Sequence, residues 1–102
     1  MTGETGILVL ESGCMDCASV KAEIDWGKAG DPTYSGKNGD RLFVYVCSNS
    51  EATKNLSLVF GCDKVAPFLI LDGQGNGEPE KVFICDVDKI ISHINISGFG
   101  RR

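Results

Sequence analysis

The chain has 102 residues, five of them cysteine, and its 14 Asp and Glu outweigh 10 Lys and Arg to give a formal net charge of −4. That length, with 42% hydrophobic residues, supports a single domain read over 1–102, with a core at about 7–96 that needs no disulfide staples. An odd cysteine count at this level argues against a secreted disulfide scaffold, and an acidic chain whose basic doublet is Arg101-Arg102 offers no patch for a phosphate backbone.

Ile7-Leu8-Val9-Leu10 is a continuous apolar run, expected to be a strand buried on both faces. Glu4 precedes it without a basic region, so no secretory signal is expected, and the run Val65 to Leu71 contains Pro67 and is far short of a membrane span. A cytoplasmic protein without membrane attachment is the expectation. In that reducing compartment a close cysteine pair points to redox chemistry or metal rather than a structural bridge. After Ser12-Gly13, residues Cys14, Cys17, Val20 and Ile24 recur at helical spacing with Lys21, Glu23 and Asp25 between them, so the cysteine pair opens an amphipathic helix.

Gly27 to Asp40, with Gly30, Pro32, Gly36 and Gly39 inside it, reads as a long exposed loop. Arg41 to Cys47 is rich in β-branched and aromatic residues and gives a second strand. Ser48 followed by Glu51 fits a capping box, opening a helix through Ala52, Leu56, Val59 and Phe60 that Gly61 ends. Val65 to Leu71 is the third strand, with Pro67 near its beginning, where a missing ladder donor does least harm. The turn cluster Asp72 to Gly77 then joins it to a fourth strand, Lys81 to Cys85, as a hairpin. Asp86 can cap a last helix in which Val87, Ile90, Ile91 and Ile94 share one face, and the tail 98–102 is expected to be loose. The expected fold is α/β, a four-stranded mixed sheet flanked by three helices in the order βαβαββα.

A Cys-x-x-Cys at the start of a helix has a physical use. Unpaired N–H groups and the helix dipole stabilise a thiolate on the first cysteine, while the second lies one turn inside and shielded. Cys14 is therefore expected to attack and Cys17 to resolve, passing two electrons through a mixed disulfide. Asp16 places a carboxylate beside the thiolate and opposes its formation, which suggests a sluggish, relatively reducing pair.

The stretch Ile7 to Lys21, with Cys14-Met15-Asp16-Cys17 at its centre, resembles the strand, active-site pair and helix start of thioredoxin-fold proteins, and is closer to glutaredoxins and glutaredoxin-like redoxins than to thioredoxin. Gly13 stands where thioredoxins carry Trp. Lys21 matches a basic position often seen in glutaredoxin helices, and Val65-Ala66-Pro67 resembles the family's cis-proline signature. The resemblance implies the thioredoxin-like fold and a small thiol–disulfide oxidoreductase. In it Met15 and Asp16 meet the substrate, Ala66 pairs with the substrate backbone and Pro67 shields the disulfide. Cys85-Asp86 stands about where the family holds the glutathione carboxylate, although Phe83-Ile84 replace the usual Gly-Gly. The resemblance further implies a monomer acting on protein disulfides, with no bound cofactor, and with glutathione or a flavin-dependent thioredoxin-type reductase as electron donor.

Two alternatives stay open. Cys14 and Cys17 with two of Cys47, Cys62 and Cys85 could hold zinc or an iron–sulfur cluster. A copper-chaperone type of ferredoxin-like domain also carries Cys-x-x-Cys after its first strand, though with its methionine before the pair and in the order βαββαβ. Either would make the chain a binding module with little or no turnover. Cys47, Cys62 and Cys85 themselves read as small buried hydrophobes, with Cys62 the nearest in sequence to the Pro67 loop, and His93 reads as a partly exposed residue of the last helix.

Overall fold

The computed structural model of the protein describes residues 4–29, 31, 33–36, 39–73 and 80–101. The elements are β1 (Thr5–Glu11), α1 (Met15–Glu23), β2 (Arg41–Cys47), α2 (Ser50–Val59), β3 (Phe68–Gly73), β4 (Glu80–Ile84) and α3 (Val87–Ile96). One mixed sheet has the order β2-β1-β3-β4. β1 runs parallel to β2, with Thr5 opposite Arg41 and Glu11 opposite Cys47, and antiparallel to β3, with Ile7 opposite Ile70. β3 and β4 form the expected antiparallel hairpin. Of its connecting turn, residues 74–77 lie outside the described residues.

The apolar run of β1 is buried on both sides, as a strand inside a three-layer structure must be. Leu8 and Leu10, with Leu69 and Leu71 of β3, face α1 and α3 and meet Cys17, Val20, Ile90 and Ile94. Val9, Phe68 and Ile70 face the other way, with Cys47, and are covered by Ala52 and Leu56 of α2 and by Phe60 just beyond it.

Several sequence expectations are corrected. The N-cap of α2 is Asn49, whose Oδ1 accepts the Ala52 N–H at 2.8 Å, and not Ser48. The chain cannot turn earlier because Cys47 still belongs to the ladder, its carbonyl accepting the Ser12 N–H at 2.9 Å. Within α2, Val59 is exposed, and the buried positions are the small side chains Thr53 and Ser57, with Ala52 and Leu56 packed on the sheet cluster. β3 begins at Phe68 rather than Val65, so Pro67 stands just outside the ladder, where its lack of an N–H removes no sheet bond. β4 ends at Ile84, one residue before Cys85.

The tail is not loose. Phe99 is only 2% exposed and lies in the α1/α3 side of the core. Asp25 N–H donates to the Phe99 carbonyl and Arg101 N–H to the Glu23 carbonyl, both at 2.9 Å, so the segment pairs with the end of α1. Gly100 bridges Ile24, and Asn95 Oδ1 occupies the space a Cβ there would need. The loop after α1 is likewise only partly exposed, since Ala29 is buried and Tyr34 meets the Phe99 ring edge-on at 5.8 Å. Within that loop Gly30 and Pro32 lie outside the described residues, as does Arg102 in the tail.

Phe99→Ala should cost about 3–5 kcal/mol in urea denaturation, as a buried aromatic does, whereas a loose tail would leave the midpoint unmoved. Asn49→Ala should cost about 1 kcal/mol in the same experiment and Ser48→Ala almost nothing; the reverse order would restore Ser48 as the cap.

Candidate active site

β1 delivers the chain to the end of the sheet, and Ser12-Gly13 reverses it, with Gly13 at φ 81°, a left-handed conformation in which a side chain would be strained. Cys14 then becomes the N-cap of α1. Its Sγ accepts the Cys17 N–H at 3.1 Å, so sulfur occupies the place usually held by a hydroxyl or carboxylate oxygen. A negative charge on that sulfur would be stabilised by this N–H and by the helix dipole.

Cys17 lies one turn inside α1 and is 1% exposed. Burial, followed by its contact with Cys14, pushes the Cys17 thiol from 9.0 up to about 12, while the Glu11 N–H, which donates to Cys17 Sγ at 3.4 Å, works in the opposite direction. The two sulfurs thus differ in kind. Cys14 is half-buried at the surface and Cys17 is a shielded thiol held protonated.

The third partner comes from the segment before β3. The Ala66–Pro67 peptide bond is cis, and the Cys14 thiol points to the Ala66 carbonyl 3.9 Å away. Cys14 and Ala66 both pack against the core on the α1/α3 side, and Pro67 is buried. Met15 and Val65, immediately after Cys14 and before Ala66 in the chain, are large apolar side chains 86% and 83% exposed.

No protein-family model, curated protein or solved structure matches the chain. Its site is therefore read from its own geometry.

Of the residues singled out in the sequence, Cys14, Cys17, Met15, Ala66 and Pro67 meet at one end of the sheet. Asp16 is exposed in the first turn of α1, where its charge favours the helix N-terminus. Lys21 is not brought to the thiols. It lines a separate opening of about 290 Å³ at the end of α1, with Trp26 and Arg101. Asp86 caps α3, its Oδ1 accepting the N–H groups of Asp88 at 2.9 Å and Lys89 at 3.2 Å. Cys85 is exposed and Cys62 half-buried, so of the three remaining cysteines Cys47 alone is the buried hydrophobe expected. His93 is partly exposed at the far end of β1, with Nε2 3.1 Å from Glu4 Oε1.

Sequence reasoning missed Glu11 and Thr53. The Glu11 carboxylate accepts the buried Thr53 hydroxyl at 2.7 Å, tying α2 to the strand that carries the cysteine pair. A groove of about 380 Å³ begins there, lined also by Lys54, Asp63, Lys64 and Val65. An acidic residue closing an otherwise apolar strand was the available signal. Among the described residues no group of three or more His, Cys, Asp or Glu side chains converges to hold a metal ion, and no helix is long and apolar enough to cross a membrane.

The raised Cys17 pKa sets a pH dependence. A thiol that releases its proton near 9 when unfolded but near 12 when folded contributes stability that is fully present below pH 9 and lost as pH rises toward 12. In reduced protein, the unfolding free energy of the wild type should therefore fall relative to Cys17→Ala between those limits, by up to about 1.4 kcal/mol per pH unit. Parallel curves for the two proteins would show that Cys17 is not held protonated.

Proposed function

We propose that the protein is a small thiol–disulfide oxidoreductase of the thioredoxin-like fold, glutaredoxin-like in its motif. The observation that carries this reading is the asymmetry of the pair. Cys14 Sγ caps α1 and accepts the Cys17 N–H at 3.1 Å, facing Ala66, while the Cys17 thiol is buried behind it with its pKa pushed up to about 12. The element order agrees with the one that the resemblance implies, which adds support.

The chemistry follows from that asymmetry. The Cys14 thiolate attacks one sulfur of a substrate disulfide, forming a mixed disulfide and releasing the other sulfur as a thiol. Cys17, which is a poor competitor while protonated, then gives up its proton and attacks Cys14 Sγ. The second substrate thiol leaves, and the Cys14–Cys17 disulfide holds the two electrons' worth of oxidation. An extended substrate would lie against the Ala66 backbone, meet the exposed side chains of Met15 and Val65, and continue into the groove beside Glu11 and Lys64. Glutathione or a flavin-dependent reductase would return the pair to the dithiol, and no resident cofactor enters the cycle.

Reduction of insulin and of a glutathione mixed disulfide tests the assignment. Cys14→Ser should bring both activities to background. Cys17→Ser should instead accumulate a mixed disulfide on Cys14 with the protein substrate, visible on a non-reducing gel. Full activity in Cys14→Ser would overturn the reading, and the ratio of the two wild-type activities would identify the donor.

A further inference from the structure

Three cysteines take no part in the proposed exchange, and two of them, Cys62 and Cys85, follow elements that both meet β3, namely α2 and β4. Cys62 follows α2 and packs against the cluster of Val9, Cys47, Phe68 and Ile70, as does Phe83 of β4. The β3–β4 ladder ends at Leu69 opposite Ile84, so Cys85 is the first residue beyond it, next in line with Phe68. Side chains alternate along an extended strand, and that alternation carried one residue past β4 would put Cys85 on the face of Phe83. The chain is extended at Asp86, with φ −82° and ψ 125°. This placement would bring Cys85 to the side of Phe68 on which Cys62 packs.

Their chemical environments differ as an attacking and a resolving thiol should. Cys85 is exposed, whereas Cys62 is half-buried and its Sγ lies 3.4 Å from the Ser57 carbonyl. Burial is the main cause that raises the Cys62 pKa, and a charge on Cys85 adds a smaller effect in the same direction. Cys62 stands in a segment without regular structure, 62–65, so it can approach Cys85 without breaking a ladder bond.

We propose that Cys62 and Cys85 form a second dithiol that closes to an intramolecular disulfide when the protein meets a small-molecule disulfide such as glutathione disulfide. Exposed Cys85, as thiolate, attacks one sulfur of the oxidant and forms a mixed disulfide, and one glutathione thiol leaves. Cys62 loses its proton and attacks Cys85 Sγ, and the second glutathione leaves as a thiol. Two protein thiols are oxidised and one glutathione disulfide is reduced to two glutathiones, so electrons and protons balance. The bond would tether the segment leading to Ala66 onto the end of β4. It does not require exchange at Cys14 and Cys17.

The test uses the Cys14→Ser/Cys17→Ser protein, checked for native circular dichroism, treated with glutathione disulfide and mapped by mass spectrometry without reduction. A loss of two hydrogens, with Cys62 and Cys85 peptides joined at a rate independent of protein concentration, is expected. Adding Cys62→Ser should then trap glutathione on Cys85. A lasting adduct on Cys85 with Cys62 still present and free, a link between two copies, any other cysteine pairing or no reaction would each overturn the proposal. If the double variant does not fold, the same peptide mapping on the wild type separates these outcomes equally well, because a Cys62–Cys85 peptide is distinct from a Cys14–Cys17 one.

Discussion

Everything at the thiol end of the molecule depends on β1 being buried from both sides. Leu8 and Leu10 are enclosed by one helical layer and Val9 by the other, each contributing roughly 1.5–3 kcal/mol by leaving water. That double burial fixes the height of the strand within the sheet to a single residue, because a slip would exchange its two faces. Glu11 is consequently held where its N–H reaches Cys17 Sγ and its carboxylate reaches Thr53. The strand thus acts as a ruler, and the cysteine pair stands at its end.

The division of labour between the two sulfurs then needs little further machinery. Cys14 caps the start of the helix and Cys17 lies inside it, so the same three-residue spacing gives one sulfur an N–H donor and the other an apolar shell. A helix cap and a core residue are ordinary structural roles. Filling both with cysteine turns them into chemistry, since the cap favours negative charge and the core opposes it.

What could be read from the sequence was what local pattern determines. The run Ile7 to Leu10, the helical recurrence of Ile90 and Ile94 and the position of Cys14-Cys17 between strand and helix all report burial or capping within a few residues, and the strands and helices are found where those patterns lie. The Asn49 cap was missed by one residue because Ser48 and Asn49 are both good caps, and the choice was made by a bond from Ser12 across the sheet to Cys47. The tail escapes local pattern for a similar reason. Phe99 lies among glycines and arginines, with no periodicity to mark it, and its burial depends on Ile24 and Tyr34 some 65 to 75 residues away. Cys85 was misread because an apolar strand gives no sign of where its ladder ends. The active pair was legible from spacing, but the approach of Ala66 to Cys14 across 52 residues is a property of the assembled sheet.

The two faces of the sheet carry separate apolar clusters, and each contains one buried sulfur, Cys17 on the α1/α3 side and Cys47 on the α2 side. The protein therefore has a native reporter in each half of its interior. A pulse of alkylating reagent too large to enter the closed interior would modify these positions at rates set by the opening of their own layer. Equal rates would mean that the layers separate from β1 in one cooperative event, and unequal rates would reveal which helical layer peels away first, without any introduced label.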